Sequence, residues 1–175
     1  MAAEERSFEC IKCGRCCTGL LAEDKGVLRG LTLLPDERRL FPESKVMPTV
    51  VVGRRPHGRG FRVIAYQLTE DTCPHLKEDL CSVYQERPAS CRQFPFSLGA
   101  GQDGSRLVGF DLSCPSLKNL FESGRVPHPS PDTMHYAEML SSVEQEALKN
   151  PNRAWYFDLR TRRWRRYREL LGEEV

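Results

Sequence analysis

The stretch Phe8-Glu9-Cys10-Ile11-Lys12-Cys13-Gly14-Arg15-Cys16-Cys17 carries four thiols in eight residues. Free thiols so crowded have little to gain from packing alone. A Cys-x-x-Cys pair, by contrast, turns both sulfurs toward one point and leaves backbone amides to hydrogen-bond them. Here Cys10, Cys13 and Cys16 chain two such pairs, and Gly14 relieves the tight turn. Adjacent Cys16 and Cys17 project in different directions, so one of them serves a first site and the other a second site or the core.

Cys73, Cys81, Cys91 and Cys114 complete a set of eight, and none follows residue 114. Eight thiolates match two four-coordinate sites, and the spacing leaves open how they divide. The start MAAEERSFEC has no basic region followed by an apolar run, which argues against a secretory leader. The apolar run Val46–Val52 is far short of a membrane span, so the chain is expected to have no transmembrane segment and to be cytoplasmic. In that reducing compartment eight cysteines point to metal rather than to a disulfide framework.

The 175 residues are 39% hydrophobic, with a formal net charge of +2. That length suits one small domain with a lean core, which bound metal would reinforce. The balance of charge is too even to mark a nucleic-acid binder, so local charge matters more. Residues 31–41 read as a short helix capped by Thr32 or a residue after it, with Pro35 in its first turn. The β-branched runs 46–53 and 60–69 flank the basic loop 53–60 as a hairpin, and 94–98 with 106–110 form a second. Cys81 to Pro88 has room for one helical turn.

Ser130-Pro131 opens the best helix, over 130–150, with Tyr136, Leu140, Val143 and Ala147 as its core stripe. The expected fold is α+β: a small single domain over 1–175 with short antiparallel hairpins, a few helices and irregular backbone around a cysteine metal core. The cysteine-bearing part covers 8–115, and the helix and the basic segment 153–172 pack together.

Cysteines followed by proline, at Cys73-Pro74 and Cys114-Pro115, together with the Cys-x-x-Cys-x-x-Cys pitch, match part of the bacterial ferredoxin pattern. The reading favours an iron–sulfur cluster of the 4Fe-4S type, with zinc as the alternative. Lys12, Arg15, Arg87 and Arg92 suit the negative charge of either. His75 is a further candidate ligand or a hydrogen-bond partner to one. His57, His128 and His135 show no nucleophile to work with. Gly99-x-Gly101-x-x-Gly104 has the letters of a dinucleotide fingerprint but sits in a hairpin turn with no helix after it.

Three segments together are distinctive: Cys10-x-x-Cys13-Gly14-x-Cys16-Cys17, Cys73-Pro74-x-Leu76, and Cys81-Ser82-Val83-Tyr84-x-x-Arg87-Pro88-x-x-Cys91-Arg92-x-Phe94-Pro95-Phe96. They resemble the YkgJ-type cysteine-cluster family, a zinc- or iron-chelating domain of bacteria and archaea, over roughly residues 8–115. The resemblance implies that Cys10, Cys13, Cys16, Cys17, Cys73, Cys81, Cys91 and Cys114 are all metal-ligand candidates in a prokaryotic, cytoplasmic protein. Flagellin lysine N-methylases are similar over the same kind of motif, which favours iron. No reaction follows from this, and no glycine motif for a methyl donor accompanies it.

The C-terminal part holds seven arginines between 153 and 168 against one acid, Asp158. Arg160, Arg162, Arg163, Arg165 and Arg166, interleaved with aromatics, could hold nucleic acid or an acidic protein. The plainer reading is a strand followed by an amphipathic helix, with Trp164, Tyr167 and Leu171 docked on the core. A membrane-surface role is a third, weaker reading of the same arginines.

Overall fold

The computed structural model describes residues 6–100, 103 and 105–172. In chain order its strands are β1 (Arg6–Ser7), β2 (Ala22–Asp24), β3 (Val27–Arg29), β4 (Thr32–Leu33), β5 (Val46–Val52), β6 (Arg62–Leu68) and β7 (Leu76–Lys77). They continue with β8 (Leu80–Cys81), β9 (Phe96–Ala100), β10 (Arg106–Phe110), β11 (Pro127–His128), β12 (Ala154–Asp158) and β13 (Arg163–Arg166). The helices are α1 (Ala89–Gln93), α2 (Pro115–Glu122), α3 (Pro131–Lys149) and α4 (Tyr167–Leu170). Helices and antiparallel pairs are mixed along the chain, an α+β fold as the sequence predicts. The chain forms two compact units, one of residues 1–17 and 75–141, the other of residues 18–74 and 142–175.

The second unit is built on a five-stranded sheet in the order β13-β12-β5-β6-β4. The expected hairpin is its centre: Val46 pairs with Leu68 and Val52 with Arg62 across the loop 53–61. β-branched residues suit the pleated surface of a strand, and Val50, Val51 and Ala65 are fully buried with Ile64 nearly so. Against them pack Ala154, Tyr156, Tyr167 and Ala147, with Val143 and Leu170 at the margin. Val143 and Ala147 thus face the core as the helical stripe predicts. Ser130 caps α3, its hydroxyl accepting the Thr133 amide at 3.1 Å.

Two buried polar groups tie this unit. Gln67 accepts the Gly30 amide at 2.9 Å and donates to the Phe157 carbonyl at 3.3 Å. Asp158 accepts the amides of Leu28 and Arg160 and the hydroxyl of Thr161. A buried polar side chain costs stability unless it is paired, and both are.

Two expectations are corrected. Thr32 is in β4, bonded to β6 opposite Gln67, and does not cap a helix. The helical turn begins at Pro35, where Glu37 accepts the Leu34 amide at 2.8 Å. The basic segment is a strand followed by a short helix, as the plainer reading expects, with Trp164 opposite Phe157 in the antiparallel ladder and Tyr167 buried. Leu171, beyond the short α4, is 39% exposed and does not dock on the core. Of the glycine fingerprint, Gly101 and Gly104 lie outside the described residues.

The first unit has a small aromatic core. Phe96, Cys114 and Leu117 are buried together, with Phe8, Phe94 and Val108 against them. The second expected hairpin is present as β9 and β10, Phe96 opposite Phe110. Pro88 and Pro95 are fully buried, and the Phe94–Pro95 bond is cis.

Glu144 of α3 gives a test of the second unit. It accepts the hydroxyls of Tyr156 at 2.7 Å and Tyr167 at 2.5 Å, and pairs with Lys25 at 3.1 Å. Burial alone would raise its pKa, but the tyrosine hydroxyls and Lys25 outweigh it and hold the carboxyl below its usual value of 4.5. The folded state therefore binds this proton less readily than the unfolded chain. Its stabilisation is present above about pH 4.5 and is lost as pH falls through the depressed folded value. Glu144→Gln should lower stability at pH 7 by about 1–2 kcal/mol, on the low side because the carboxylate is partly solvated. It should also flatten the acid limb of a melting-temperature profile.

Candidate metal centre

The crowded cysteine run is anchored at its start. Phe8 meets Phe96 edge to face at 5.5 Å, and its amide donates to the His128 carbonyl at 3.4 Å. The Ser116 hydroxyl donates to the Glu9 carbonyl at 3.1 Å, which ties the run to the first turn of α2. From there the backbone enters a left-handed turn, with Lys12 at φ 56° and Gly14 at φ 70°. That turn aims the Lys12 amide at the Cys10 sulfur, 3.4 Å away. An amide donor held on a sulfur stabilises a thiolate and is the support that metal-binding cysteines use.

Gly14 is needed for more than its φ. A Cβ there would lie 2.5 Å from the Asp79 carbonyl oxygen and 3.1 Å from Leu76 Cδ1. The cysteine run therefore sits directly against the turn of the β7–β8 hairpin, whose second strand ends in Cys81. That hairpin was not foreseen. Its turn residues Glu78 and Asp79 both have positive φ, 48° and 62°, without the asparagine or glycine that usually signals such a turn. After Gly14 a 3₁₀ turn, closed by the Cys17 amide on the Gly14 carbonyl at 2.9 Å, half-buries Cys16 and buries Cys17.

Cys114 is buried as the residue that opens α2, with Pro115 at the first helical position. Burial raises its thiol pKa, the amides of Leu117 and Ser116 oppose that, and the nearby Cys13 and Cys10 sulfurs add to the rise. Three cysteines separated by a hundred residues of chain are thus electrostatic neighbours.

Tyr84, which the sequence places in a helical turn and in the family motif without a role, is a site residue. Two cations lie over its ring, Arg87 at 3.8 Å and Lys12 at 4.7 Å from the ring centre. Burial raises its phenol pKa, the hydrogen bond with the Cys10 sulfur raises it further, and Arg87 pulls the other way. The signal that could have found it is its place inside the Cys81–Cys91 motif. Arg87 donates to the Tyr84 carbonyl at 2.9 Å, and Arg92 donates to the Arg87 carbonyl at 2.7 Å and to that of Gln85. Arg92 also lies 5.0 Å over the Tyr136 ring. It stitches the loop before Cys91 rather than adding loose charge.

Cys81 and Cys91 are half-buried in this same unit, while Cys73 is buried in the other. His75 faces the Ser82 hydroxyl at 3.5 Å. All eight cysteines are thiols rather than disulfides. Among the described residues, no three cysteine, histidine, aspartate or glutamate side chains converge tightly enough to make a finished metal cage. The donor chemistry nonetheless fits a thiophilic metal: soft sulfurs, an amide on Cys10, and the cations Lys12 and Arg87 beside them.

A family model designated CxxCxxCC, described as "Putative zinc- or iron-chelating domain", matches residues 9–115. The chain belongs to this family. The match to the CxxCxxCC family bears out the resemblance to YkgJ-type proteins, and its span takes in all eight cysteines. No curated protein and no solved structure matches the chain. No helix among the described residues is long and apolar enough to cross a membrane.

Gly14→Ala places a methyl group against the Asp79 carbonyl in a backbone conformation that L residues resist. We expect it to cost about 1–3 kcal/mol and to lower bound metal per chain. Metal analysis of the purified variant, beside its melting temperature, checks this. Gly99→Ala, where nothing lies within 4 Å of the added carbon, should leave both nearly unchanged.

Proposed function

We propose that this member of the CxxCxxCC family is an iron–sulfur protein, with Cys10, Cys13, Cys16 and Cys114 as the ligands of one cluster of the 4Fe-4S type. The observation that carries the reading is the neighbourhood of Cys114-Pro115. A remote cysteine followed by proline stands beside Cys10 and Cys13 of a Cys-x-x-Cys-x-x-Cys run, the combination that cluster-binding chains use. Cys17, Cys81 and Cys91 are candidates for a second metal, and Cys73 is one on the sequence pattern alone. The cluster would supply one-electron redox chemistry. The protein's own part is to hold thiolates with the Lys12 amide and to offset their charge with Lys12 and Arg87. Such a role suits a reducing, cytoplasmic setting.

Zinc is the second reading. It is favoured by the amide held on the Cys10 sulfur, a support that zinc-bound thiolates use as well.

Anaerobic purification followed by metal and acid-labile sulfide analysis separates the two. The iron–sulfur reading expects a brown protein with iron and sulfide in equal amounts and visible sulfur-to-iron absorption. Cys13→Ser and Cys114→Ser should each lose most of that absorption. Colourless protein with stoichiometric zinc and no iron would overturn it. In either case removing the metal should lower the melting temperature, because metal affinity adds to folding free energy.

A further inference from the structure

The second unit carries a basic surface that the metal site does not use. Two of the five C-terminal arginines singled out above are already paired: Arg160 with Glu23 at 2.7 Å and Arg165 with Glu169 at 3.5 Å. Arg166 behaves differently. It joins Arg54, Arg55 and Arg59 of the loop between β5 and β6 around one cavity of about 580 Å³. A second cavity of about 440 Å³ is lined by the same Arg54 with Asn152 and Arg153. Among the described residues none of these five arginines is in an ion pair, and no acid lines either cavity.

Like charges gathered around shared cavities repel one another, and no acid among the lining residues offsets them. The loop is nevertheless held in place. The Gly53 amide donates to the Arg153 carbonyl at 2.8 Å, and Trp155 Nε1 donates to the Gly53 carbonyl at 3.1 Å. The Phe61 amide closes the loop on Gly58 at 3.1 Å. The Arg166 guanidinium carbon lies over the Trp155 ring, 4.7 Å from its centre. The arginines thus stand on a tethered loop and a sheet, a backbone frame that limits the ordering an anion would have to impose.

Aromatic rings share this face. Trp164 and Arg166 are two residues apart on β13 and so project from the same side, opposite Phe157 and Trp155 in the ladder. Exposed His57, from the arginine loop, stacks on Phe61 at 5.3 Å and meets the edge of Trp164 at 6.2 Å. Two adjoining basins that share Arg54 suit consecutive phosphates better than one isolated anion. Rings at their border suit bases.

We propose that this face, formed by Arg54, Arg55, Arg59, Arg153 and Arg166 with His57 beside them, binds single-stranded nucleic acid. The arginines take successive backbone phosphates, and a base stacks on the exposed His57 ring.

The test is fluorescence anisotropy of a labelled single-stranded oligothymidylate with the full-length, metal-loaded protein over a salt series. Binding should weaken steeply with salt. Arg55→Ala combined with Arg59→Ala should reduce affinity about tenfold or more and flatten the log–log salt slope by about 1.4, two single-strand phosphate contacts. Arg160→Ala combined with Arg165→Ala removes the same charge from arginines already paired with acids, and should change affinity less than about twofold. His57→Ala should weaken binding roughly tenfold with the slope unchanged. Absence of binding at low salt, equal losses in the two double variants, or equal competition by polyglutamate of matched charge would each overturn the proposal. The last outcome would mark an acidic protein surface as the partner instead.

Discussion

The cysteine unit depends on a close approach between two pieces of backbone at Gly14. The run that carries four thiols passes so near the Asp79 carbonyl that a single added carbon would overlap it. The nearest atoms are main chain, so the backbone itself sets how closely the run approaches the β7–β8 turn, with the Leu76 side chain beside it. The left-handed turn that makes it possible is the same one that aims the Lys12 amide at the Cys10 sulfur. Steric fit and thiolate support therefore come from one local conformation. A sequence with any other residue at this position would have to give up one to keep the other.

The two units are stabilised by different means. The sheet of residues 18–74 and 142–175 combines a dense aliphatic and tyrosine core with buried polar ties at Gln67 and Asp158. The cysteine unit has a handful of aromatic rings around Cys114, short strands, and loops held by arginine-to-carbonyl bonds. A unit of that kind has little apolar area with which to offset the entropy of ordering its loops. Ligands that bind only the folded form have most effect where intrinsic stability is least.

What could be read from the sequence was local. The central hairpin announced itself by β-branched runs on either side of a glycine-rich loop, and α3 by Ser130, Pro131 and a stripe that includes Val143 and Ala147. The motif segments gave the family without any structure. The misreadings were places where local cues conflicted with distant partners. Thr32 looks like a cap, yet Tyr66 and Gln67 draw its segment into the sheet. Leu171 continues the apolar spacing of Trp164 and Tyr167, yet α4 ends at Leu170 and leaves it exposed. Glu78 and Asp79 make a turn that their residue types do not advertise. The nearness of Cys114 to Cys10 and Cys13, and of Tyr84 to Cys10, arises from tertiary packing alone. No spacing rule encodes it.

Burial differs sharply across the thiols of one short run. Cys10 and Cys13 are exposed, Cys16 is half-covered, and Cys17, only four residues beyond Cys13, is buried, as is Cys114. Access alone therefore grades their chemistry toward anything dissolved in water. An alkylating reagent, a peroxide or a competing chelator meets the outer pair first, and reaches the inner sulfurs only when the unit opens. The rim and the floor of the cysteine cluster are chemically distinct, although the residues are identical and nearly adjacent in the chain.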